Sequence, residues 1–114
     1  VVVRTGDAFW FDFGENLGHG PARRRPVIVI SSDQFVASSL PTVVVMGCTT
    51  NLAAARYPGN VLIPAGSGGL PRDCVAKVTE IATVDRYQLV DWMGTLPMDI
   101  VFAISQGLRL SLGT

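Results

Sequence analysis

Short runs rich in valine, isoleucine and phenylalanine recur along this chain, and glycine, proline or a short polar stretch cuts each one off before it can lengthen. That rhythm constrains the fold more than any other feature. Runs of about four to eight β-branched and aromatic residues, closely spaced and bounded by turn formers, build a small sheet that must curl to bury itself. The first run, "AFWFDF", alternates: Phe9, Phe11 and Phe13 point one way and Ala8, Trp10 and Asp12 the other. A period of two predicts a strand half-buried on its phenylalanine face. Residues 27–30 are continuously apolar, which predicts a strand covered on both faces.

The remaining runs extend the pattern. Residues 43–48, 61–63, 74–84 and 89–93 read as further strands, the fifth bent near Glu80. Between them, "SSDQFVASS" reads as a helical turn capped by Ser31 or Ser32. "TTNLAAARYPGN" and the glycine-rich stretch at 15–24 read as loops, and "PAGSGGLPRD" as a flexible connector. The period changes only at the C-terminus. There Pro97 suits a first helical turn, Asp99 complements the helix dipole, Ile100, Val101, Ile104 and Leu108 form one stripe, and Gly113 is a stop signal. The pattern predicts a mainly β (α+β) domain spanning 1–114, a strongly curved sheet or barrel of about six strands with a C-terminal helix.

Several function classes are excluded at this level. A chain of 114 residues with 48% hydrophobic side chains can bury a core without disulfides or a structural metal. Nine basic and nine acidic side chains cancel, so attraction to an anionic polymer must come from a local patch. Cys48 and Cys74 lie inside strand-like runs and read as small buried hydrophobes in a reducing compartment. One histidine and two separated cysteines cannot make a structural zinc site. No apolar run approaches the roughly 18 residues of a membrane span. The N-terminus lacks a basic-then-apolar leader pattern, so a cytoplasmic protein without metal or cofactor is expected.

The chemistry concentrates in a few places. "ARRRPVIV" runs three arginines into a strand. They are either a solvated loop end or a phosphate clamp, since guanidinium groups bind phosphate oxygens bidentately and stay charged. Pro26 biases Arg25 towards extended backbone and so holds it more firmly than Arg23 or Arg24. Thr49, Thr50 and Asn51 follow the third strand, where they either start a turn or orient a phosphate. His19, between two glycines, is the one side chain with an ordinary pKa near neutrality. Trp10 is a candidate base-stacking platform, and Lys77 a further cation on the fifth strand. "GSGGLP" lacks the lysine and hydroxyl of a phosphate-binding loop and is rejected as one.

Read together, "GDAFWFDFG", "GHGPARRRPVIVISSD", "PTVVVMGCTTN", "PGNVLIPAGSGGLPRDCV" and "TVDRYQLV" resemble the MazF/PemK/Kid family of toxin endoribonucleases over nearly the whole chain. The resemblance implies an SH3-like or CcdB-like barrel that forms a homodimer. It implies metal-independent cleavage of single-stranded RNA by attack of the 2′-hydroxyl, leaving a 2′,3′-cyclic phosphate and a 5′-hydroxyl. On the matching motifs, Arg25 and Thr49 would be catalytic and His19 would move protons, while Arg23, Arg24, Thr50, Asn51, Trp10 and Lys77 would contact RNA. A cognate MazE-like antitoxin would cover the same groove with its extended tail. The chain departs from many relatives at Gly20 and Thr79, where they carry acids. An RNA- or peptide-binding barrel with little turnover, and a toxin of the same fold aimed at a protein, are the alternatives.

Overall fold

The computed structural model describes residues 2–13 and 24–114. Among the described residues there are six strands: β1 (Asp7–Asp12), β2 (Arg24–Val29), β3 (Thr42–Thr49), β4 (Val61–Ile63), β5 (Cys74–Asp85) and β6 (Asp91–Thr95). A short helix α1 (Asp33–Val36) follows β2, and α2 (Met98–Leu112) ends the chain. The strands form one sheet in the order β4-β5-β3-β2-β1-β6, with every pairing antiparallel.

The sheet curls into a half-barrel, and the gap between its edges is narrowed by backbone rather than side chains. A 3₁₀ turn at Ser67–Gly69, just after β4, packs on β6. A Cβ at Gly69, whose φ is +75°, would lie 2.1 Å from the Met93 carbonyl oxygen, and one at Gly94 would lie 2.8 Å from the Gly68 carbonyl carbon. Only glycine allows this approach.

Both faces of the sheet are buried, which explains the unbroken apolar run in β2. Ile28 faces a cluster with Ala8, Met46, Ile63, Ala76 and Ile104. Val27 and Val29 face the other way, against Phe9, Phe11, Val43, Val45 and Leu89. Each fully buried side chain of this size contributes about 1.5–3 kcal/mol of hydrophobic stabilisation. The expectation of a half-buried β1 holds only towards its outer end. Ala8 and Phe9 are both fully buried, because α2 and the curled sheet cover the face opposite the phenylalanines.

Strand β5 bends where expected. Its ladder with β3 runs to Met46↔Ile81 and resumes at Cys48↔Ala76, so residues 77–80 bulge opposite Gly47. Other local boundaries differ from the sequence reading. β6 starts two residues beyond the expected 89, because Asp85 and Gln88 form a capping box around a 3₁₀ turn and Leu89 is drawn into the second cluster. The expected loop after β3 contains a 3₁₀ turn, Leu52–Arg56, whose first amides are met by Asn51. Ser32 rather than Ser31 caps α1, accepting from the Phe35 amide at 3.2 Å. Ser31 is buried and accepts from the Val44 amide at 2.8 Å instead.

Pro97 stands one place outside α2, as its extended N-cap, and Gly113 closes the helix. The stripe Ile100, Val101, Ile104 and Leu108 packs on the first cluster as expected. Gly107 docks the helix: a Cβ there would lie 2.1 Å from the Gly59 carbonyl oxygen. Cys48 and Cys74 are free thiols, both buried.

Candidate active site

At the mouth of the half-barrel, where β2 begins and β3 ends, a cavity of about 470 Å³ opens. Trp10, Arg24, Arg25, Thr49, Thr50 and Arg72 line it, with Pro26, Leu70, Cys48 and Cys74. The sheet register explains why distant residues meet. The β2–β3 ladder ends at Val27↔Gly47; two residues further along each strand come Arg25 and Thr49. Arg25 is also paired across to Phe11, which anchors its backbone on the other side. Pro26 sits between the two ladders with its φ fixed by its ring.

Thr49 is oriented by its own turn. Its Oγ1 accepts a hydrogen bond from the Asn51 amide at 3.1 Å, which leaves the hydroxyl proton to donate outward. Thr49 is part-buried, whereas Thr50 is exposed at the rim.

Arg24 is held within the fold. Its Nη2 donates to Asp91 Oδ2 at 2.7 Å, and its guanidinium lies 5.6 Å from the Trp10 ring centroid. Both ends of the ion pair are about half exposed, 51% and 55%, so its net worth is under about 1 kcal/mol. The arrangement fixes Trp10 against β6 more than it adds stability.

Arg72 is the cation that the sequence reading missed, because its stretch was read as a flexible connector. The connector is tied at both ends. Leu70 is buried and its carbonyl accepts from the Gly66 amide at 2.7 Å; Asp73 Oδ1 accepts from the Ala65 amide, also at 2.7 Å. Arg72 rides on that held loop and, among the described residues, makes no hydrogen bond or ion pair. Pro71, directly before it, was the signal available.

Two expected contacts face a neighbouring cavity of about 650 Å³, which Thr49 also borders. Asn51 spends its Oδ1 on the Ala53 amide at 3.2 Å, and Lys77 Nζ donates to Glu80 Oε2 at 2.7 Å. Arg56 and Tyr57 add a second cation and ring to that cavity. His19 and Arg23, like Glu15 and Gly20, lie outside the described residues.

Among the described residues no carboxylate lines the cavity at the barrel mouth, while three guanidinium groups do. On a chain whose formal charges sum to zero, this is a local concentration of positive charge. Among the described residues no group of three or more His, Cys, Asp or Glu side chains could hold a metal ion, and no helix is long and apolar enough to cross a membrane.

Residues 4–112 match the family described as PemK-like, MazF-like toxin of type II toxin-antitoxin system. The chain belongs to that family. Among curated relatives of this PemK-like, MazF-like chain, Endoribonuclease MazF2 of Mycobacterium bovis is 42% identical over 109 residues, covering 96% of both chains. Endoribonuclease EndoA of Bacillus subtilis is 30% identical over 112 residues, covering 98% of this chain and 96% of its own. Among solved structures, an endoribonuclease in complex with its cognate antitoxin from a mycobacterial species superposes with a TM-score of 0.78 at 20% identity, covering 97% of this chain and 95% of that one. This likeness bears out the mainly β barrel with its C-terminal helix.

Proposed function

We propose that residues 1–114 act as one toxin domain, an endoribonuclease that cleaves single-stranded RNA without a metal. The observation that carries the reading is the pairing of Arg25 and Thr49 at one cavity that, among the described residues, no carboxylate lines, in a chain of this family. An RNA phosphate drawn there meets positive charge from Arg25 and Arg72 and a hydroxyl proton from Thr49. When the 2′-hydroxyl attacks that phosphate, charge gathers on the non-bridging oxygens, and pre-oriented donors stabilise it without reorganising. The 5′-oxygen leaves, giving a 2′,3′-cyclic phosphate and a 5′-hydroxyl end.

His19 is the proton-transfer group in this reading, since arginine stays protonated at neutral pH and cannot serve as a base. Arg23 and Arg24 steer the flanking backbone, Arg24 from its seat between Trp10 and Asp91. Thr50 and Trp10 contact the nucleotide at the cavity, and Asn51 and Lys77 its neighbour in the adjoining one. The protein works as a cytoplasmic homodimer, and an antitoxin with an extended acidic tail neutralises it by occupying the basic cavity.

The test is cleavage of a long single-stranded RNA in the presence of EDTA. Discrete fragments with 5′-hydroxyl ends support the reading, and light scattering of the 12.1 kDa chain should give twice that mass. No cutting beyond that of Arg25→Ala would overturn it, and salt-dependent RNA binding without fragments would point to a binding barrel instead.

A further inference from the structure

The mechanism leaves two nucleophiles unused, and they form the floor of the same cavity. Cys48 and Cys74 lie on adjacent strands, β3 and β5, on one face of the sheet. They flank the last ladder pair diagonally: Cys48 is opposite Ala76 and Thr49 opposite Val75, with Cys74 next along. The two thiols are close enough for each to act on the other's ionisation. Both are 1% exposed, but the cavity beside them admits a small oxidant.

Interaction with Cys48 holds the Cys74 thiol below its ordinary value, against burial and the nearby Asp73 carboxylate. The same interaction, then burial and Glu80, push the Cys48 thiol well above its own.

We propose that Cys48 and Cys74 are an oxidisable dithiol which closes to a disulfide under peroxide and shuts the cavity above it. The Cys74 thiolate attacks one peroxide oxygen, forming the sulfenic acid and releasing hydroxide, which takes up a proton to become water. Cys48 then attacks the Cys74 sulfur, a second water leaves, and the S–S bond forms. Two thiols and one hydrogen peroxide give one disulfide and two waters. Diagonal cross-strand neighbours in a regular sheet sit further apart, somewhat under about 7–8 Å, than the roughly 3.5–4.5 Å between Cβ atoms that a disulfide requires. Closure draws the end of β3 towards the start of β5. Thr49 directly follows one sulfur and Arg72 lies two residues before the other, so both walls of the cavity move. A bond closed this way is easily reduced, as a reversible device must be.

The proposal deepens the nuclease reading, and its test separates the two. The full chain is treated with hydrogen peroxide, quenched with catalase, unfolded and alkylated with iodoacetamide. The expected product is a single chain about 2 Da lighter, with no alkylated cysteine, restored by dithiothreitol. In Cys48→Ser the sulfenic acid at Cys74 should instead be trapped by dimedone. Backbone amide signals of Thr49 and Asn51 should shift on oxidation, and RNA cleavage should fall at least about tenfold and return with the reductant. Two alkylated cysteines in the treated wild-type chain, a disulfide between chains, or an oxidised form that cuts as fast as the reduced one would each overturn the proposal. If the reduced chain cuts no RNA, the nuclease reading fails, and the mass, alkylation and amide signals decide the dithiol alone.

Discussion

Replacing Thr49 separates what its hydroxyl does for the fold from the role proposed for it at an RNA phosphate. In the folded chain Thr49 Oγ1 accepts one hydrogen bond, from the Asn51 amide at 3.1 Å, and Asn51 is exposed. Thr49→Val keeps the shape and removes that acceptor, but water can serve the amide, so the loss is at most about 1 kcal/mol. At roughly 2.1 cal/mol/K of unfolding entropy per residue over 114 residues, each kcal/mol moves the melting temperature by about 4 °C. The variant should therefore melt within about 4 °C of wild type. Losing a donor aimed at developing phosphate charge costs far more, about 2.7–4 kcal/mol, or 100- to 1,000-fold in rate. Single-turnover cleavage of a defined single-stranded RNA, compared with a thermal melt of each protein, gives both quantities. Thr49→Ser keeps both the acceptor and the proton and should retain most of the rate. If Thr49→Val cuts as fast as wild type, or Thr49→Ser fails as badly as Thr49→Val, the hydroxyl is not the donor.

Further outcomes follow from other contacts. Gly107→Ala places a methyl 2.1 Å from the Gly59 carbonyl oxygen, and overpacking of about 1–3 kcal/mol should lower the melting temperature by about 4–12 °C in calorimetry. Arg72→Ala should weaken single-stranded RNA binding and reduce the slope of log affinity against log salt by about 0.7, the value of one phosphate contact, in anisotropy titrations; an unchanged slope would remove Arg72 from the site. The Thr5 amide donates to Asp33 Oδ1 at 2.8 Å and holds that carboxyl below its usual 3.8, with Arg4 nearby. A lowered pKa adds stability above the unfolded value that is lost as pH falls through the folded one. The stability advantage of wild type over Asp33→Asn should then shrink as pH falls below about 4, by urea titration.

Much of this architecture was legible from residue pattern alone, because burial dictates period. The unbroken run at 27–30 announced a strand with two covered faces, and Val27, Ile28 and Val29 are divided between both clusters. The bend near Glu80 was signalled by polar residues interrupting an apolar strand, and the ladder slips there. The boundaries that moved did so for local reasons invisible to hydrophobic periodicity. A capping box at Asp85 delayed β6, and an Asn51 cap turned an expected loop into a 3₁₀ turn. In the site, Arg25 and Thr49 could be proposed from motif resemblance, but their meeting depends on register between strands separated in sequence. Arg72 was hidden because its loop is rigid through a tertiary anchor, Leu70, and not through any local propensity. Nor could sequence reveal that Arg24 and Lys77 each have an acidic partner, since Asp91 comes from another strand and Glu80 from across a bulge.

The seam where Ser67–Gly69 presses on β6 has a bearing on the site that its chemistry conceals. Gly69 is followed at once by the segment that carries Leu70 and Arg72, so the distance across this seam sets how far one lip of the cavity stands from the other. A methyl group added at Gly69 or Gly94 would act as a wedge, widening the aperture without altering a single functional atom. The width of the cavity is thus set at a junction outside its own lining, by residues whose contribution is to take up no room.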